Sequence, residues 1–355
     1  MNGFVNRVSK KLLMTGVIAL VSVVFVVSQL FVQPKPVNAG VSEIHLKFDQ
    51  HDDNVWTVVF SPDDSLVASS SAEGMVYIWD HHNGNILKIL DHPEGVPTIA
   101  FSPDGKTLAT GSYDGFVRIW NISEGILIKT FEQNVGVIWG ITYSPNGKNI
   151  VTGGRKGLVS LWDVTSGNME SLKGHLEGDV WSIVFSPGGD QMVSAGHDHT
   201  IKVWDVQTKE LIRTIDDHTE AIVSVAYSPD GSMLASGSDD KTVKLWNTTD
   251  WTLIRTHTSG SECVYGVTFS PDAKRLVSGS RDKKVLGEIL QYRLGYAGFS
   301  NGITMRMWDV ATGDLIQTFS GHSNDVNFVA YSNDGEFIAS ASEDESVIIW
   351  KTTVR

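Results

Sequence analysis

The chain has 355 residues and a mass of 38.8 kDa, about twice a usual single-domain length, so it holds several domains or one large symmetric architecture. With 41% hydrophobic and 19% charged residues it is a packed globular protein rather than a disordered one. A formal net charge of -13 repels phosphate backbones and excludes nucleic acid as a partner, and the single cysteine, Cys263, excludes an internal disulfide framework and a Cys-based zinc or iron-sulfur site.

The N-terminus reads Arg7, Lys10 and Lys11, then an uncharged apolar run from Leu12 to Val32, then the small-residue sequence Val37-Asn38-Ala39. Basic, apolar and cleavable segments in that order predict that residues 1–39 are an export signal cleaved after Ala39. The run is also long enough to span a bilayer, so an uncleaved signal anchor is the competing expectation. Basic residues ahead of the run keep this end in the cytoplasm under either reading. The rest of the chain is then exported: periplasmic, extracellular or anchored outside the cytoplasm.

Beyond it, tryptophans recur at Trp79, Trp120, Trp162, Trp204, Trp246, Trp308 and Trp350, at intervals of 41, 42, 42, 42, 62 and 42 residues. Such a period marks seven repeated supersecondary units. Within the second, Pro97-Thr98-Ile99-Ala100-Phe101, Leu108-Ala109-Thr110, Val117-Arg118-Ile119-Trp120 and Ile126 to Phe131 are short apolar runs separated by turn residues. That grammar predicts four antiparallel strands per unit. A Ser-Pro-Asp-Gly type I turn joins the first two, and equivalent turns begin at Ser61, Ser144, Ser186, Ser228, Ser270 and Ser332.

The pairs Trp79-Asp80, Trp162-Asp163, Trp204-Asp205 and Trp308-Asp309, with Gly174-His175 and Gly321-His322, give residues 44–350 a resemblance to a WD40-repeat β-propeller. The expected fold is all-β: a seven-bladed propeller of four-stranded antiparallel blades over residues 40–355. Residues 44–48, Ile-His-Leu-Lys-Phe, align with Leu211 to Ile215, a fourth strand, while the last unit stops after three. Pairing the two closes the seventh blade and removes its open edges.

Four units contain a His, a Ser or Thr, an Asp and the Trp at fixed spacing: His92, Thr110, Asp114, Trp120; His175, Ser194, Asp198, Trp204; His218, Ser236, Asp240, Trp246; His322, Ser340, Asp344, Trp350. The residue types are those of a hydrolytic triad, but the set recurs once per unit and an active site occurs once per domain. The resemblance implies instead a buried hydrogen-bond chain from indole to hydroxyl to imidazole to carboxylate. Asn134 and Lys156 in the third unit, Gly260 in the sixth and Glu73 in the first depart from the set, so those blades are expected to be softer.

The resemblance also implies that one end of the propeller receives partners. Entry positions of the innermost strands are Trp56, Pro97, Trp139, Trp181, Ser224, Tyr265 and Asn327. The turn between second and third strands adds Ala72, Tyr113, Arg155, His197, Asp239, Arg281 and Glu343. Trp56, Trp139, Trp181, Tyr265, Tyr113, Arg155, His197 and Arg281 are therefore the candidate partner-binding residues, being the types that dominate binding hot spots or standing beside them. The long interval places an insertion at 284–303 in blade 6, on the same end. The reading is a monomeric, non-catalytic protein-interaction scaffold with no cofactor or metal implied. Its rivals are a glycan- or small-ligand-binding propeller and an enzyme built on Asp239 and Glu343.

Overall fold

The computed structural model describes residues 43–133, 136–175, 178–258, 263–281 and 304–352. The N-terminal apolar run, Asn134, Gly260 and the insertion at 284–303 lie outside them. Seven four-stranded antiparallel sheets are formed, as the period predicts. Blade 1 consists of Val55–Phe60, Val67–Ser71, Met75–Trp79 and Ile86–Asp91. Blades 2 to 6 begin at Thr98–Phe101, Ile138–Tyr143, Val180–Phe185, Ile222–Tyr227 and Val264–Phe269. Blade 7 takes Val326–Tyr331, Phe337–Ser342 and Val347–Lys351 from the end of the chain and Glu43–Phe48 from the start. Among the described residues the one helical element is the single 3-10 turn Arg155–Gly157.

Side-chain size follows position in the blade. Each second strand is covered on both faces, by its own blade's neighbours and by the next blade, and Val67–Ser71 and Phe337–Ser342 are buried along their whole length. Small or slim side chains dominate there, as in the run Val-Ala-Ser-Ser-Ser, with a larger one at the start of the strand in blade 7, Phe337. Gly237 shows how close the spacing is: a Cβ would lie 2.7 Å from Cγ1 of Val264 and 3.0 Å from Cγ1 of Val267, both on blade 6. The periodic tryptophans of the third strands fill the opposite need, with Trp79, Trp204 and Trp350 sealed between adjacent blades.

Closure joins blade 7 to blade 1 by several contacts. Glu43–Phe48 pairs antiparallel with Val347–Lys351, and the ring of Phe48 stacks on Trp79 of blade 1 at 4.4 Å between centroids and 6° between planes. Asn327 Nδ2 donates to the Val55 carbonyl at 3.0 Å. A further tie explains a departure from the turn pattern. Most first turns carry Gly at the fourth position with positive φ, whereas blade 1 has Asp64 at φ 57°. A non-Gly residue pays about 1 kcal/mol for that conformation, but the Asp64 carboxylate accepts from the backbone N–H groups of Asn333 and Asp334, both at 2.8 Å, and from Asn333 Nδ2 at 2.9 Å. Asp64→Ala is expected to lower the unfolding free energy by about 2 kcal/mol, since three hydrogen bonds to one carboxylate are lost. An urea midpoint within error of wild type refutes that role.

Candidate functional site

The candidate face is built by a backbone irregularity repeated around the ring. The innermost strands skip one residue in their pairing at Val55/Thr57, Ile138/Gly140, Val180/Ser182, Ile222/Ser224, Val264/Gly266 and Val326/Phe328. A bulge leaves its extra residue out of the ladder and re-aims it. The bulged residues are Trp56, Trp139, Trp181, Val223, Tyr265 and Asn327. Pro97, which lacks an N–H, precedes the shorter strand of blade 2. In blade 5 the ring position therefore belongs to Val223, one residue before the expected Ser224. Ser224 is buried, and its hydroxyl accepts from the N–H of Val267 on blade 6 at 3.2 Å.

A second repeated device brings the turn residues alongside. The N–H groups of Ala72, Tyr113, His197, Asp239, Arg281 and Glu343 donate to the carbonyls of Asn54, Gly95, Asp179, Ala221, Cys263 and Asp325, each two residues before a ring position. Turn and ring residues are thereby fixed as neighbours.

On blades 1 to 4 these neighbours form an aromatic arc. Burial pushes the pKa of the Tyr113 hydroxyl up to about 12. Tyr113 meets Trp139 edge-on at 5.7 Å. Trp139 Nε1 donates to Oδ2 of Asp179 at 2.8 Å, and Arg155 Nε approaches the same oxygen at 4.0 Å. Trp181 meets His197 at 5.9 Å with planes at 90°. Trp56, Trp139 and Trp181 are all partly exposed, and Arg155 and His197 are exposed.

Blades 5 to 7 are charged instead. Arg281, half exposed, reaches the buried carboxylate of Asp325 at 3.1 Å, and Tyr265 beside it is pushed up to about 12 by burial. Burial also raises the Asp239 carboxyl, against the Cys263 hydrogen bond and the Arg281 charge. The eight candidate residues thus lie on one end, in two chemically distinct arcs. The groove of ≈ 470 Å³ lined by Ser102, Asp104, Tyr143 and Asn146 lies among the first turns, at the opposite ends of the same strands.

The buried polar chains are present, with instructive exceptions. His218 Nδ1 meets Asp240 Oδ2 at 2.7 Å and its Nε2 meets Ser236 Oγ at 2.7 Å, which also accepts from Trp246 Nε1 at 2.9 Å. Blade 4 repeats this through His175, Asp198, Ser194 and Trp204, and blade 7 through His322, Asp344, Ser340 and Trp350. Burial would raise the Asp198, Asp240 and Asp344 carboxyls, but hydrogen bonds from the paired histidine and neighbouring hydroxyls outweigh it and hold them below the usual carboxylate range.

Three expectations are corrected here. In blade 1 Glu73 completes the chain, reaching His51 Nδ1 at 3.0 Å while His51 Nε2 meets Ser69 Oγ at 2.8 Å. In blade 2 Asp114 is turned to Arg118, with bonds of 2.6 and 3.1 Å, and His92 Nδ1 meets the Leu90 carbonyl instead. Burial, reinforced by the Arg118 charge, lowers His92 to about 4. In blade 3 Gln133 stands where the other chains have the histidine and accepts from Thr152 Oγ1 at 2.7 Å. Sequence spacing also passed over His257, which is buried against Trp308 at 4.9 Å and lowered to about 4 by burial.

Comparison with known families agrees with the geometry. The family described as WD domain, G-beta repeat matches residues 209–247, 251–286 and 313–351, and the Vps42 beta-propeller family matches residues 50–221. No curated protein matches the chain. Seven four-stranded blades, a ring closed by both ends of the described chain, indole-to-hydroxyl-to-imidazole chains and these matches show that the chain carries WD40 repeats in a seven-bladed β-propeller.

Proposed function

We propose that this chain is an exported, monomeric, non-catalytic scaffold that binds protein partners on the end bearing Trp56, Tyr113, Trp139, Arg155, Trp181, His197, Tyr265 and Arg281. WD40 propellers are as a class protein-interaction scaffolds, generally without catalysis. The observation that carries the reading is the aromatic arc across blades 1 to 4, partly exposed yet fixed by Trp139 to Asp179, Trp139 to Tyr113 and Trp181 to His197 contacts. Rigid aromatic anchors lose little side-chain entropy on binding and bury large areas, which suits them to a protein partner. Export rests on the basic, apolar and small-residue order of residues 1–39, and is tested by protease digestion of intact cells, which removes the propeller only if it lies outside the cytoplasm.

The binding test compares wild type with a Trp139→Ala, Trp181→Ala double variant of matched thermal stability, by crosslinked capture from the envelope fraction followed by titration of the recovered protein. The expected result is a partner held by wild type and weakened about 30-fold or more by each truncation. A partner held equally by both forms overturns the assignment of this face. Retention of a glycan or small ligand in place of a protein overturns the scaffold reading in favour of its rival.

A further inference from the structure

Directly after the Trp79 indole, Asp80, His81 and His82 bring one carboxylate oxygen and two imidazole nitrogens within 4.8 Å of one another. His81 is 2% exposed, and its Nδ1 is buried without a hydrogen-bond partner. A polar group left so costs about 1–3 kcal/mol, which is anomalous in a propeller whose other ring histidines of this kind are mostly paired. The walls around it are aromatic: Phe60 of blade 1 and Phe337 of blade 7 meet the His81 ring at 5.4 and 5.0 Å. His82 lies 4.0 Å from His81 between ring centroids.

Across the closing seam, His45 on Glu43–Phe48 faces the same place. Its ring is 6.2 Å from that of His82 and 5.0 Å from Phe337. A metal ion about 2.0–2.1 Å from an imidazole nitrogen stands roughly 3.2 Å from the ring centre, so two rings sharing one ion at a tetrahedral angle lie about 5 Å apart, a spacing that the 4.0 Å of His81–His82 and the 6.2 Å of His45–His82 bracket. The carboxylate of Asp80 is already oriented, accepting from the His82 N–H at 2.8 Å and from Asn83 Nδ2 at 2.7 Å. Each of its oxygens keeps a lone pair.

We propose that Asp80, His81, His82 and His45 form a binding site for a divalent transition-metal ion of the zinc class, one that clamps the closing strand of blade 7 to blade 1. Three imidazoles and one carboxylate favour zinc, nickel or copper over calcium or magnesium, which take all-oxygen sets. Four protein ligands close the coordination sphere, so the ion is structural and carries no reaction. The apolar walls exclude competing water from the His81 side. Sequence reading implied no metal because His45 stands more than thirty residues from the other three and no Cys is involved.

The test uses the full-length chain, stripped with a chelator and carrying no polyhistidine tag. It is titrated calorimetrically with zinc sulfate and separately with cobalt(II), whose visible absorption reports coordination number. His82→Ala and His45→Ala are the variants, because both side chains are exposed and their loss leaves the metal-free thermal midpoint near that of wild type. The expected result is one ion per chain, a tetrahedral cobalt spectrum, a thermal midpoint raised by zinc, and affinity reduced at least about tenfold in each variant. Absence of binding by wild type overturns the site, as does equal binding by wild type and His82→Ala. Binding unchanged in His45→Ala overturns the clamp across the seam.

Discussion

Asp240→Ala is expected to lower the free energy of unfolding by about 3 kcal/mol near neutral pH, because it strips a buried network of its terminal acceptor and leaves His218 Nδ1 without its partner. The Asp240 and His218 side chains are 6% and 0% exposed, so water does not replace the lost bond. The pH dependence has a definite sign. The folded-state carboxyl lies below its unfolded value, held there by His218 and Thr242 against the opposing effect of burial. Its contribution is therefore fully present above the unfolded carboxylate pKa of about 3.9 and is lost as pH falls through the folded value. The gap between wild type and Asp240→Ala should close on acidification, measured by denaturant unfolding at stepped pH. A double-mutant cycle sharpens the test: His218 and Asp240 should couple by about 2 kcal/mol, and His92 and Asp114, which share no hydrogen bond, by under about 0.5 kcal/mol. Equal couplings would mean that the hydrogen-bond pattern described for blade 2 is wrong.

The second large effect is expected at the seam. Phe48 is 3% exposed and stacks on Trp79, so Phe48→Ala removes a core ring and its partner's face together. Large-to-small changes of this kind cost about 3–5 kcal/mol. The loss should also be local, because Phe48 belongs to the strand that closes the ring. Amide exchange of Val347–Lys351, whose neighbour it is, should accelerate more than exchange in blade 4. Uniform acceleration in every blade would show that closure is no weaker than the rest of the circle.

Blade number, strand order and closure were legible because they rest on periodic features: indole spacing, Ser-Pro-Asp-Gly turns and a spare strand at one end. Individual polar partners were less so. Whether Asp114 meets His92 is decided by Arg118, four residues on and on the same edge, whose guanidinium competes for the carboxylate. Glu73 was read as a defect, yet its extra methylene reaches the imidazole as well as aspartate does. Val223 and Ser224 exchanged roles because a one-residue bulge shifts which side chain leaves the ladder, and a linear alignment registers length without direction. His257 and His45 were passed over for another reason: their neighbours Trp308 and His82 come from adjacent blades, not adjacent residues.

The pairing of Glu43–Phe48 with Val347–Lys351 also constrains the order of events during folding. The first described strand must wait for the last, with every other blade between them, so this sheet has the longest loop to close while the other blades assemble from consecutive segments. Loop entropy grows only slowly with length, so the delay weighs on rate more than on final stability. Until it ends, Val347–Lys351 presents an unpaired edge of Val, Ile, Ile and Trp to any other chain in the same state. Refolding yield should consequently fall with protein concentration even when the native propeller itself does not associate.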